Sequence, residues 1–488
     1  MNGVVAAGHP IAAEAGAQVL REGGNAVDAA VCAVLTSFAV ESPLTGFGAG
    51  GFMMVHGAGQ TALIDFFVAA PGKGGAERGV ELAPVVVRFD ADTTQTFYVG
   101  PASCGVPGTA AGLEHALRRF GSAPLADLAA PGIRVAREGA PVNAEQGYIL
   151  EILWPIHERL EETRALYAPQ GRPLREGDVF RFPELADALE RFADEGAEPF
   201  YRGEVATALS GFVREHGGTL GPTDLAEYEA IEREPIRVPF RGAEVLTNPP
   251  PSSGGILIAY ALSQLERLGG RSGPERLVEA MGAANEARNE AFAEALYGDR
   301  LVGDLLGSTT HISVLDGDGM CASVTCSNGS GSGVLVPGTG VILNNMLGEE
   351  DLNPLGFHAI APGRRVPSMM APTVVLRDGE IALGLGSAGS NRIRSAILQT
   401  VVRAVEEGMA AGDAVRAPRL HFEQGIVQAE PGIDEEALAR IEARGIPVLR
   451  RPRVNLFFGG VQAVARDPAS GALSGGGDPR RGGSVAVA

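Results

Sequence analysis

The chain has 488 residues, 45% of them hydrophobic and 20% charged, the balance of a folded globular protein with a large core and not of a disordered one. Its 59 acids against 40 bases leave a net charge of −19, which repels phosphate backbones and excludes nucleic acid as a partner. Cys32, Cys104, Cys321 and Cys326 are scattered and form no C-x-x-C, so buried thiols are predicted and not a disulfide framework.

Length alone allows about three units or one large layered domain. The opening "MNGVVAAGHPIAAEAG" places no basic stretch ahead of an apolar one, so no signal peptide is predicted. The apolar run from Ala29 to Val40 is too short to cross a bilayer and reads as a buried helix, which predicts a cytoplasmic protein with no membrane partner. Residues 10–40 read as two Ala-rich helices separated by "REGGN", with Gly23 or Gly24 ending the first and Asn25 capping the second.

"GFGAGGFMMVHGAGQTALIDFF" then switches to strand patterning across a Gly-rich turn. Its "GFGAGG" follows a helix and precedes a strand, the reverse of the order that aims a helix N-terminus at a pyrophosphate, so a tight loop is predicted. Residues 110–240 alternate amphipathic helices with Pro and Gly breaks, and "NPPPSSGGI" (248–256) opens another helix. From residue 309 the pattern becomes paired strands: "THISVL" with "MCASVTCS" across "DGDG", "APTVVLRDGEIALGLGS", and "VQAVARDPASGALSG". Strands behind residue 309 and helices before it predict sheets stacked between helical layers. "SNGSGSG" (327–333) lacks the Lys and the helix of a phosphate loop, the eight His show no metal-ligand spacing, and no G-x-S-x-G elbow occurs. No metal or other cofactor is expected.

The chemistry is placed in "LLGSTTHISVLDGDG" (305–319), which sets Thr309, Thr310 and His311 at the first pleat of a strand. A Thr hydroxyl becomes nucleophilic when a base takes its proton, and the residue's own α-amino group serves once the preceding peptide bond is cut. The bond cut is then Ser308–Thr309. On the returning strand Thr325 and Ser327 share a face, and Ser327 is the hydroxyl expected to hold the Thr309 oxygen in line. Backbone N–H groups at a strand-to-helix corner supply an oxyanion site, and Gly389 and Ser390 stand at such a corner in "LGLGSAGSNRIRSAILQTVVRAVEEG".

"AAGHPIAAEAGAQVLREGGNAVDAA", "NPPPSSGGI", "GSTTHISVLDGDG", "VILNNM" and "GGGDPRRGG", in this order from about residue 5 to 483, resemble the γ-glutamyltransferase family of N-terminal-nucleophile hydrolases. The resemblance implies an α/β fold, a four-layer αββα sandwich made as one precursor that cuts itself into a large subunit (1–308) and a small subunit (309–488). It gives Thr309 the role of nucleophile, Ser327 that of supporting hydroxyl, and Gly389 with Ser390 that of oxyanion backbone; Ser390 stands where the family has Gly. The partner it implies is a small amide or peptide substrate, glutathione among them, and a homodimer of processed heterodimers is left open.

The departures concern the acyl group. Where relatives hold a glutamate α-carboxylate with Arg, "IDFFVAAP" has Phe67; of the paired serines "PSMMAP" keeps Ser368 and has Met369; after "LNN" the usual Gln is Met346. On the amino side Asn328 and Glu349 match. The segment between "NNML" and "VPSMM" is short, which predicts an open, apolar acyl pocket. Two alternatives stand beside this expectation: true γ-glutamyl transfer with Arg364 or Arg365 replacing the lost clamp, and an unprocessed relative that only binds ligands.

Overall fold

The computed structural model describes residues 2–75, 82–88, 94–288, 309–353 and 356–488. Ser308, one side of the expected cleavage bond, lies outside these residues and Thr309 lies inside them.

Helix α1 (Pro10–Arg21) opens with Pro at its first turn, where the missing N–H has no partner to lose, and His9 Nδ1 accepts from Ile11 N at 3.2 Å. Helix α2 (Ala26–Val40) is capped by Asn25, whose side chain accepts from Val27 N and Asp28 N while Asp28 accepts from Asn25 N. Every residue of α2 is buried, as the apolar run predicts. A side chain on Gly16 would stand 2.9 Å from Ala29 O, so glycine there lets α1 and α2 approach closely.

The first sheet takes β1 (Gly3–Ala7), β2 (Gly50–Gly57), β3 (Gln60–Phe66), β4 (Ile231–Arg233), β5 (Thr310–Asp316), β6 (Cys321–Ser327) and β7 (Ser484–Val487), in the order β7-β1-β5-β6-β2-β3-β4. The second runs Leu473–Gly477, Gly460–Arg466, Glu380–Ala388, Thr373–Arg377, Ala243–Thr247, Ile236–Phe240. Because strand side chains alternate, each sheet has two apolar faces to cover. Val5, Ile312, Val314 and Val324 pack outward on α1 and α2. Val4, Phe52, Met54 and Leu315 pack inward on Leu246, Val374, Ile381 and Val464 of the second sheet. The outer face of that sheet lies under α3 (Ser253–Leu268) and α4 (Arg392–Val405) through Leu257, Leu262, Ile393 and Ile397. The layers are therefore αββα.

Most of the described helices precede residue 309, and strands from both sides of it share each of the two large sheets. β1 to β4 precede that residue, and β5 hydrogen-bonds β1 on one side and β6 on the other. The short, small-residue strand "GVVAA" gave little pattern to detect. "GFGAGG" is the tight approach predicted: a side chain on Gly48 would stand 2.0 Å from Ile342 O.

Near the C-terminus a buried ion cluster ties the second sheet to its helices. Arg419 Nη2 meets Asp478 Oδ2 at 2.6 Å, Arg480 Nε donates to Glu430 Oε1 at 2.6 Å, and Arg480 Nη1 reaches Asp478 Oδ1 at 3.1 Å. Removing one cation leaves buried carboxylates uncompensated. Arg480→Met is expected to lose about 3–5 kcal/mol, read as a fall in the denaturant midpoint with unchanged slope. A loss below about 1 kcal/mol would show that the cluster contributes little.

Candidate active site

The register of β5 and β6 sets Thr310 opposite Cys326, His311 opposite Thr325 and Ser313 opposite Ser323. One step earlier Thr309 faces Ser327, and its Oγ1 donates a long hydrogen bond to Ser327 Oγ at 3.3 Å. Ser327 Oγ also accepts from Gly329 N at 2.9 Å, which fixes its lone pairs toward the loop and leaves its oxygen beside Thr309. Both residues are buried.

The same alternation builds a polar ladder on the inner face behind them. His311 Nδ1 pairs with Thr325 Oγ1 at 2.8 Å and Nε2 with Ser313 Oγ at 2.9 Å. Ser313 and Ser323 hydroxyls donate to Gln462 O and Leu385 O of the facing sheet, at 3.2 and 3.0 Å. Burial pushes His311 down to about 3, so its imidazole stays neutral and works as a fixed hydrogen-bonding wedge. The ladder was legible in the period-2 spacing of residues 309–313 and 323–327, although the roles of His311 and Ser313 were not.

Thr310 points the other way, toward α2. Its Oγ1 lies 3.1 Å from both oxygens of Glu41, the residue that ends α2. Burial pushes Glu41 up to about 7, against the Thr310 bond and the charge of Arg481. A cavity opens beside Thr309 with Gly8, Glu41, Asn143, Glu145 and Arg481 among its walls.

The oxyanion candidates stand where expected, between strand Glu380–Ala388 and α4. Gly389 has φ +119° and Ser390 φ +50°, the left-handed region that favours glycine. The carbonyls of both accept from Arg392 N and Ile393 N, at 3.0 and 2.9 Å, which starts the helix. Among the described residues no hydrogen bond uses the amide N–H of either. Ser390 tolerates its backbone because its Oγ donates to Asp351 Oδ2 at 2.9 Å, a partner that sequence reasoning missed.

The amino-side candidates gather on the loop after β6. Asn328 is fully buried, and neither side-chain atom has a partner among the described residues. Glu349 Oε1 accepts from Ser330 N at 2.7 Å, beside Asn345, whose Nδ2 donates to Ser330 Oγ at 2.6 Å. Burial, and then the neighbouring Asp351, raise Glu349 well above the usual carboxylate range; burial raises Asp351 to about 6. Near neutrality this acid pair holds a proton that a bound cation would displace.

The expected carboxylate side is apolar but is not one surface. Ser327 pairs with Gly50 and Gly51 with Phe66, so Phe67 lies on the Thr309 row, three strand spacings or roughly 14 Å away. Phe67 stacks on Phe52 at 5.4 Å and packs in the inter-sheet core with Met346 and Met370. Met369 belongs instead to the outer core of the second sheet, with its Sδ accepting from Ser253 Oγ at 3.2 Å. Ser368 Oγ accepts from Met370 N at 3.0 Å, closing a turn. The alternation of Met369 and Met370 across a strand entry separates them, a division invisible in "PSMMAP".

Arg365, one of two arginines considered as a replacement clamp, is already committed. Its Nε donates to Asp65 Oδ1 at 3.2 Å, its Nη2 to Asp65 O and Glu229 O, and its guanidinium lies 4.4 Å over the Tyr228 ring. Arg364 is exposed. Among the described residues no group of three His, Cys, Asp or Glu gathers as metal ligands, and no helix is long and apolar enough to cross a membrane.

The sequence pattern of the Gamma-glutamyltranspeptidase family matches residues 12–306 and 294–488. The chain belongs to the gamma-glutamyltranspeptidase family. Similar members are the "Acylase ACY 1 proenzyme" of Pseudomonas sp. (strain SE83), 34% identical over 97% of this chain and 91% of the relative, and the "Glutathione hydrolase proenzyme" of Escherichia coli (strain K12), 32% identical over 98% and 90%. The crystal structure of cephalosporin acylase from Bacillus halodurans superposes with a TM-score of 0.86, at 27% identity over 100% of this chain and 96% of that one. The chain is an enzyme of this family, a self-processing hydrolase or acyltransferase with the αββα fold of N-terminal-nucleophile hydrolases.

Proposed function

We propose that the chain cleaves itself at Ser308–Thr309 and that Thr309 then carries an acyl group between an amide substrate and water or an acceptor amine. The observation that carries this is the Thr309–Ser327 hydroxyl pair at the mouth of the β5–β6 hairpin. The freed α-amino group takes the Thr309 hydroxyl proton as Oγ1 bonds to the substrate carbonyl carbon. The resulting oxyanion is held by the Gly389 and Ser390 N–H groups. The C–N bond breaks, the departing amine leaves with the proton from the α-ammonium, and water or an amine repeats the steps in reverse on the ester. Residues 1–308 and 309–488 stay together as large and small subunits because their strands alternate within one sheet.

The acyl group fits a polar amino end better than a carboxylate. Asn328 and Asp351 offer unfilled acceptors and Asp351 a negative charge, while Phe67 and Met346 fill the place of a carboxylate clamp and Arg365 is tied to Asp65. Leaving a carboxylate beside them forfeits roughly 1.5–3 kcal/mol of charge-assisted bonding.

Steady-state kinetics on three anilides tests this: one uncharged acyl group, one bearing an ammonium, and γ-glutamyl. The ammonium-bearing substrate is expected to exceed γ-glutamyl by about tenfold or more in kcat/KM. Its KM should fall as pH rises through about 6, where Asp351 loses its proton and gains the charge that faces the cation. γ-Glutamyl anilide turned over best would return the chain to the glutathione hydrolases in substrate as well as family. The relatives carry both kinds of name, acylase and glutathione hydrolase.

A further inference from the structure

Arg481 sits on the opposite side of Thr309 from the acyl-side candidates. It follows Arg480 of the buried ion cluster and precedes β7, so it lies toward the β1–β7 edge, whereas Asn328, Phe67 and Met346 lie toward β6, β2 and β3. Its aliphatic stem packs over Gly460, where an added side chain would stand 2.6–2.9 Å from Arg481 Cδ, Cγ and Cβ. Its Nη2 is 3.7 Å from the point that a side chain on Gly389 would occupy. The guanidinium thus borders the oxyanion corner and the cavity that also exposes Thr309.

The cation is poorly satisfied there. Arg480 makes ion pairs to Glu430 and Asp478, but among the described residues no carboxylate comes within 4.0 Å of Arg481. Its Nε is buried with no hydrogen-bond partner, and Nη2 makes one long bond, 3.5 Å, to Leu456 O. The charged or titratable groups facing it are Glu41, Asp478, Glu145 and His311. Glu41 directs both oxygens to the Thr310 hydroxyl, and His311 is bound within its ladder. Burial pulls the guanidinium down to about 10 while Asp478 and Glu41 hold it up, so it remains charged at neutral pH. A half-buried, charged fork with a buried and unpartnered Nε beside the nucleophile's cavity is built for an anion.

We propose that Arg481 recognises a carboxylate on the departing amine half of the substrate, which rests on the reading of Thr309 as the nucleophile. The acyl half is received toward β6 and β2, so the cavity on the other side of Thr309 receives the other half of the scissile amide. The enzyme then acts on amides of amino acids or amino-carboxylates in preference to neutral amines.

The test compares N-acyl-4-aminobenzoate with N-acyl-4-aminobenzamide, of nearly equal size and the same acyl group. The carboxylated substrate is expected to show a KM lower by about tenfold, the effect of one charge-assisted contact, with kcat within a few-fold. Arg481→Gln should bring the KM ratio to about one, and Arg481→Lys should restore part of it. An unchanged ratio in Arg481→Gln, or no preference in the unmodified enzyme, overturns the proposal. Calorimetric binding of free 4-aminobenzoate separates this from failure of the nucleophile assignment, because it needs no turnover. Weaker binding in Arg481→Gln supports the site, and equal binding removes it even if no acyl amide is ever cleaved.

Discussion

Thr309→Ala is expected to migrate as one chain of 488 residues and to turn over no acyl amide, whereas the unmodified protein separates into chains of 308 and 180 residues (488 minus 308). The substitution removes one oxygen that serves two reactions: attack on the Ser308 carbonyl in the precursor and attack on substrate afterwards. Its neighbours leave no substitute. Thr310 Oγ1 faces Glu41 on the other side of the strand, and Ser327 Oγ accepts from Gly329 N. A loss on the order of 10³-fold or more is therefore expected, as for removal of other acyl-transfer nucleophiles. Thr309→Ser keeps an oxygen and should still divide. A Thr309→Ala protein that divides at the same bond would move the self-cleavage chemistry to another residue.

Gly389→Ala is the second large effect. Gly389 has φ +119°, and its added side chain would meet Gly459 Cα at 2.8 Å, so backbone must shift at the corner that aims both N–H donors. Displacing an oxyanion donor costs a factor on the order of 10²–10³ in kcat, with little change in KM. Ser390→Gly is the contrasting variant. It keeps the amide, relieves a left-handed serine, and loses only the hydroxyl bond to Asp351, so kcat should stay within a few-fold. Equal kcat for Gly389→Ala and the unmodified enzyme would take the oxyanion site away from this corner.

The residues legible in the sequence are those whose geometry is local. Thr309 and Ser327 follow from the period of two along a hairpin whose Asp-Gly turn sets the register. Gly389 and Ser390 follow from a strand, a Gly-rich corner and a helix in succession, and Asn25 from its place between a Gly pair and an apolar helix. Glu41, Asp351 and Arg481 were not legible, because each meets the site only through the packing of elements distant in the chain. Glu41 reaches Thr310 from a helix 269 positions away in the chain. The resemblance to a family supplied the sandwich, and the structure shows how its two parts interlock: strands from both sides of residue 309 share each of the two large sheets. Met369 shows the limit of reading by position, since its place next to Ser368 says nothing of which core the side chain enters.

Mass spectrometry of the small chain, quenched during turnover of a slowly hydrolysed acyl anilide, tests the central claim most directly. The expected small chain begins at Thr309 and carries the mass of one acyl group on that residue. A small chain beginning elsewhere, or an acyl group found on any other side chain, would contradict it.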